Sequence, residues 1–156
     1  MFNNHSVSVI ETYVNEKGVT VQFLNECINY FIQLSNHPVI KKFNYVFGVH
    51  EASVKIVNHN PRSNEDLYMI VFIPHIYAEN SGHFIFIHKR MDTIVYIDSY
   101  GLPITNSFLA QNIHYSGANL FQNIKQIQSH TSSHCGMFAL LQFLYFIFRP
   151  PFHLRF

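Results

Sequence analysis

The stretch Gly82-His83-Phe84-Ile85-Phe86-Ile87-His88-Lys89-Arg90-Met91-Asp92-Thr93-Ile94-Val95-Tyr96-Ile97-Asp98 decides how this chain folds. From His83 to His88 the side chains alternate, with His83, Ile85 and Ile87 on one face and Phe84, Phe86 and His88 on the other. That period of two belongs to a β-strand. Lys89-Arg90-Met91-Asp92 reads as a short turn, and the β-branched run Thr93 to Ile97 as the partner strand. In an antiparallel hairpin the start of the first strand lies beside the end of the second. His83 and Asp98, 15 residues apart (98 − 83), are therefore brought together by the turn between them. A carboxylate beside an imidazole fixes the orientation of the ring and stabilises its charged form, so the hairpin builds a proton-handling pair.

Downstream, Gln128-Ser129-His130-Thr131-Ser132-Ser133-His134-Cys135-Gly136 runs into the apolar segment Gly136 to Phe148. That segment carries no proline and is long enough for about three helical turns. Ser132 and Ser133 suit the N-cap, whose hydroxyl accepts an orphan backbone N–H. Cys135 then falls in the first turn, where unpaired N–H groups and the helix dipole favour a thiolate over a thiol. A thiolate is a strong nucleophile, His83 is its natural base, and Asp98 holds the base. Gln128, seven residues before Cys135 (135 − 128), brings a side-chain amide that can join the Cys135 N–H in holding an oxyanion.

The order His, Asp, Gln, Cys, with the elements Gly-His-Phe at 82–84, Asp-Ser-Tyr-Gly at 98–101 and Gln128-Ser129 separated by five residues from Cys135-Gly136-Met137-Phe138, resembles the adenain-type cysteine proteases. These are the adenovirus maturation protease and its relatives in large DNA viruses and virus-like transposons, which share a fold superfamily with the SUMO-specific proteases. The resemblance covers about residues 65 to 148. It implies a papain-like, adenain-type fold and a cysteine endopeptidase that cleaves after small residues, often Gly, in viral precursor or capsid proteins. It gives His83 the role of base, Asp98 that of its partner, Gln128 the oxyanion hole and Cys135 the nucleophile. Asn80, Ser81, Gly82 and Phe84 are expected to line the substrate groove, with His134 as a solvent-facing neighbour of the nucleophile. His134 is a poor base for Cys135, because adjacent helical residues project about 100° apart. The family further implies a virion, nuclear or cytoplasmic setting, and no cofactor beyond an activating peptide or DNA. A ubiquitin-like or SUMO-type isopeptidase, and an inactive interaction protein on the same fold, are the alternatives.

Composition narrows the field further. At 156 residues the chain reads as a single domain, residues 1–156, and as a monomer. Hydrophobic residues make up 48% and charged residues 12%, which excludes a disordered or strongly charged protein. A net charge of +1 and isolated basic pairs, Lys41-Lys42 and Lys89-Arg90, give weak support for nucleic-acid binding. The N-terminus lacks a signal-peptide pattern, and Phe138 to Phe148 is too short to span a bilayer. The 11 His and two Cys contain no metal-binding spacing, so no metal is expected. Two Cys form no disulfide framework, and Cys27 reads as a plain core thiol.

The remaining segments complete an α+β domain with a mostly antiparallel sheet. Val19 to Leu34 is an amphipathic helix burying Phe23, Ile28, Phe31 and Ile32, and Leu67 to Ile73 is a strand. Gly48 to Val57 is read as a strand, Ser107 to Phe121 as a helix interrupted at Ser116-Gly117, and Ile124 to Gln128 as a last strand delivering Gln128. Taken singly, each site residue has an ordinary structural reading: a surface His, a turn-forming Asp, a buried Cys. Their joint order and spacing carry the catalytic one.

Overall fold

The structure, a computed structural model, describes residues 20–35, 45–74, 82–126 and 135–148. In chain order these form α1 (Val21–Ser35), β1 (Val46–Gly48), α2 (Val49–Asn58), β2 (Leu67–Pro74), β3 (Gly82–Arg90), β4 (Thr93–Ile97), α3 (Ser107–Tyr115), β5 (Asn119–Gln122) and α4 (Cys135–Phe148). The class is α+β, and the five-stranded sheet is mixed, with its strands in the order of the chain. The central strands β2, β3 and β4 are antiparallel, whereas β1 joins β2 and β5 joins β4 in parallel. Both edges therefore depart from the antiparallel pattern expected of the sheet.

Helices cover the sheet on both faces. On one, α1 and α4 pack against Ile70, Phe84, Phe86, Val95 and Ile97. On the other, α2 and α3 pack against Met69, Val71, Ile85, Ile87, Ile94 and Tyr96. The alternation along β3 thus separates two cores, which is why apolar residues occupy both of its faces. Helix α1 starts where the Thr20 hydroxyl accepts the Phe23 N–H at 3.1 Å, and it buries Phe23, Ile28, Phe31 and Ile32, as its periodicity predicts, together with Leu24 and Cys27. In α4, Phe143 meets the rings of Tyr45, Tyr68 and Phe86. These contacts fix the helix on the sheet, and with it Cys135 at its first position.

Four readings from sequence are corrected. Only Val46–Gly48 is strand in the first region, and Val49–Asn58 is helical. Its valines suggest a strand, but burial falls on Ala52, Ser53 and Ile56, the three-to-four spacing of a helix face. The helix at 107 ends at Tyr115, because Gly117 turns at φ +71°, and Asn119–Gln122 then runs as β5. Gly117 is a terminator rather than an interruption. Among the described residues the last strand is β5: residues 124–126 are not strand and Ile124 is 93% exposed, while residues 127 and 128 lie outside the described residues. The hairpin turn is also tighter than expected. Lys89 and Arg90 belong to β3, leaving Met91 (φ 52°) and Asp92 as the turn. Lys89 is drawn inside because its Nζ donates to the Met91 carbonyl at 2.7 Å and meets His59 Nδ1 at 2.8 Å, partners that offset the burial of a cation.

Candidate active site

Strand β3 outruns β4, and the site occupies the gap. The β3–β4 ladder runs from Arg90↔Thr93 to Phe86↔Ile97 and stops there, while Gly82 to Ile85 remain paired to β2 alone. Past Ile97 the chain bends away through a turn in which Gly101 N–H donates to the Asp98 carbonyl at 2.9 Å. Asp98 Oδ1 accepts the Tyr100 N–H at 2.8 Å and lies 2.8 Å from His83 Nε2. The ladder's register, continued, sets Tyr100 opposite His83, and the two rings are stacked at 4.7 Å and 22°. The hairpin geometry expected from the sequence is therefore present.

Two glycines of the sequence elements have steric reasons. A side chain at Gly82 would strike the Ile73 carbonyl and the Phe72 ring, both 2.5 Å from its Cβ position. Gly101 sits at φ +70°, where a Cβ would also lie 2.9 Å from the Gln126 nitrogen. Only glycine meets both conditions without strain.

Cys135 reaches the same gap from the other direction, as the first residue of α4. Its sulfur accepts the Phe84 N–H at 3.5 Å, so the residue after His83 in sequence directly anchors the thiol. Because Nε2 of His83 faces Asp98, the nitrogen turned elsewhere is Nδ1, which is buried and forms no complete hydrogen bond. The thiol of Cys135 and the imidazole nevertheless lie near enough to shift each other's titration.

Electrostatics at the pair favour charge separation. Burial opposes a charged His83, but the Asp98 hydrogen bond, the contact with Cys135 and the negative charge of both raise its pKa from 6.5 to about 9. Burial likewise opposes a thiolate at Cys135, yet the His83 contact, the Phe84 N–H, the imidazolium charge and the Gly136 N–H together lower its pKa. Each group draws the other toward its charged form, so the two titrate as a pair rather than as separate residues. Cys27 provides the contrast: burial and the nearby Glu26 push its thiol up to about 11.

His83, Asp98 and Cys135 are thus assembled in one place. Of the expected groove residues, Gly82 and Phe84 flank His83 in β3. Phe84 is buried against Phe72, with ring centroids 5.0 Å apart, so it contributes its backbone to the site and its side chain to the core. Asn80, Ser81, Gln128 and His134 lie outside the described residues, as do Ser132 and Ser133. Among the described residues no group of three or more His, Cys, Asp or Glu side chains could hold a metal, and no helix is long and apolar enough to cross a membrane.

Two residues of the site are not singled out by the sequence reading. Tyr100 covers one face of the His83 ring. Asn123, 6% exposed, accepts the Asp98 N–H at 2.9 Å and donates to the Asp98 carbonyl at 2.6 Å. An Asn after a short strand carries no signal of its own, because only its burial beside another chain segment distinguishes it from a turn former. No family model matches the chain, and no curated protein matches it.

Proposed function

We propose that this chain is a cysteine endopeptidase of the adenain type, with the papain-like fold that such a site implies. The observation that carries the reading is the convergence of Cys135, His83 and Asp98 from a helix tip and two strand ends, with the thiol and the imidazole each shifted toward its charged form. A buried imidazole held charged beside a thiolate has an evident use in attack on a carbonyl, and little in holding a core together.

In the proposed reaction the Cys135 sulfur attacks the scissile carbonyl carbon, forming the S–C bond. The oxyanion is held by the Cys135 backbone N–H and, by resemblance, the Gln128 side chain. His83 gives its proton to the departing amine as the C–N bond breaks, leaving a thioester. The neutral ring then takes a proton from the water that attacks the thioester, and as the C–S bond breaks the acid product leaves and the thiolate–imidazolium pair is restored. Asp98 keeps Nε2–H engaged throughout, so that Nδ1 is always the nitrogen offered to the sulfur. The substrates in this reading are polypeptides cut after small residues such as Gly, in the manner of viral structural precursors.

The test is a set of fluorogenic peptides with Gly-Xaa junctions beside ubiquitin-like fusions, assayed with the wild type and Cys135→Ala. Cleavage of the peptides by the wild type alone supports the endopeptidase reading. Cleavage confined to the fusions converts it to an isopeptidase, and activity retained by Cys135→Ala refutes the nucleophile.

A further inference from the structure

The clamp on Asp98 points to a positioning residue beyond the groups that do the proposed chemistry. Parallel strands β4 and β5 are laddered from Thr93↔Asn119 to Tyr96↔Gln122, after which both chains leave the sheet. At that point the Asp98 N–H would face the interior with no strand beside it, a costly state for a buried peptide donor, while the Asp98 carbonyl accepts only the Gly101 N–H of its own turn. The side chain of Asn123 fills the missing place. Its Oδ1 accepts the Asp98 N–H at 2.9 Å, and its Nδ2 donates to the Asp98 carbonyl at 2.6 Å and to the Lys125 carbonyl at 3.1 Å. An amide alone among side chains of this size offers a donor and an acceptor in that geometry.

We propose that Asn123 is a positioning residue that acts through Asp98, holding its main chain so that Oδ1 stays in register with His83 Nε2. The proposal rests on the peptidase reading of the Cys135–His83–Asp98 site. Asp98 has one fixed hydrogen bond to the ring, at 2.8 Å, and its other carboxylate contact on the same oxygen is the Tyr100 N–H of its own turn. That turn is closed by the Tyr100 N–H and Gly101 N–H. Asn123 ties it to the chain that leaves β5. Without the clamp the turn can pivot as a unit, carrying the carboxylate away from the imidazole while Asp98 and His83 are both still present.

The readout that separates positioning from plain structure is the titration of His83 itself, followed by NMR on the whole chain. Among the described residues, the ionisable groups facing His83 are Asp98 and Tyr100 from the turn after β4 and Cys135 from α4. Its β2 partner is Ile73, which does not titrate. Asn123→Ala should move the His83 pKa down from about 9 by about one pH unit, as a loosened carboxylate contact does, and slow Cys135 alkylation at pH 6 several-fold. In an Asp98→Asn background the same substitution should move His83 no further, since its effect passes through the carboxylate. Should Asn123→Ala not fold, Asn123→Ser carries the same test, because its shorter side chain cannot span both Asp98 groups. A folded Asn123 variant whose His83 still titrates near 9 would overturn the positioning role. A wild type whose His83 titrates near 6.5 and whose Cys135 reacts no faster than Cys27 would instead remove the peptidase reading, and the positioning role with it.

Discussion

At one end of β3, His83 lies 2.8 Å from Asp98 and its pKa is raised to about 9; toward the other end, His88 lies 3.7 Å from Asp66 and its pKa is lowered to about 4. Both rings are removed from water, and for both the burial penalty on the charged form is the largest influence. What differs is how the carboxylate is used. Asp98 is aligned by its own turn and by Asn123, and Cys135 adds a second negative partner. Asp66 also serves the Tyr68 hydroxyl at 2.9 Å and Arg90 Nε at 3.8 Å, and the positive charges of Arg90 and His59 press further against a charged His88. His88 is accordingly a neutral aromatic, stacked on Tyr68 at 4.8 Å and against Phe146 at 5.3 Å. Burial alone makes a histidine inert, and a close carboxylate with a second negative partner beside it holds the ring charged.

The largest break in that contrast is His83→Ala. It removes base and acid together and should lower peptide cleavage by about 100- to 10,000-fold, measured as kcat/KM on a Gly-Xaa peptide. Next is Asp98→Asn, which keeps the hydrogen-bonding shape but removes the charge. The His83 pKa should fall from about 9 toward the ordinary 6.5, shifting the alkaline limb of the pH–rate profile to lower pH. An unmoved limb would show that Asp98 does not hold the ring charged.

Stability should divide in the same way. A pKa raised in the folded state, as at His83, contributes stability that is fully present below about 6.5 and lost as pH rises through about 9. The lowered pKa of His88 works oppositely: the unfolded chain binds its proton first, so stability falls as pH drops from 6.5 toward about 4. His88→Phe keeps the ring stack and removes the titration, so the acid unfolding midpoint should move to lower pH with peptide cleavage unchanged. The gain near pH 4 should be on the order of 2 kcal/mol, and a midpoint that stays in place would count against a neutral His88. The smallest effect is expected at Gly101→Ala, which forces a Cβ into the left-handed region against the Gln126 backbone. Urea unfolding should show a loss of about 1–2 kcal/mol.

The parts of this contrast legible in the sequence are those set by local periodicity. The alternation through His83 to His88 and the β-branched run to Ile97 give the hairpin, and the hairpin gives the His83–Asp98 pair. The apolar run after Cys135 gives α4. Legibility fails where tertiary placement decides. Val49 to Asn58 carries valines that suit a strand, and its buried Ala52 and Ile56 reveal a helix only once α3 and the sheet are beside it. Lys89 looks like a turn residue until His59 and the Met91 carbonyl draw it inward. Asn123 is one polar residue among several, and its role depends on Asp98, 25 positions away in the chain. Asp66 and Asp98 are likewise indistinguishable as letters, because what separates them is the number of donors that share each carboxylate.

The most direct measurement is the rate of iodoacetamide alkylation of Cys135 and Cys27 across pH 5 to 9, read by peptide mapping. A thiol with an ordinary pKa near 8.5 is less than roughly 1% ionised at pH 6, and its rate climbs about tenfold per pH unit. If His83 holds Cys135 as a thiolate, Cys135 reacts fast at pH 6 with a rate that is nearly flat to pH 8, while Cys27, pushed up to about 11, stays slow and climbs throughout. Parallel tenfold-per-unit climbs at both cysteines would contradict the charged pair and the proposed activity with it.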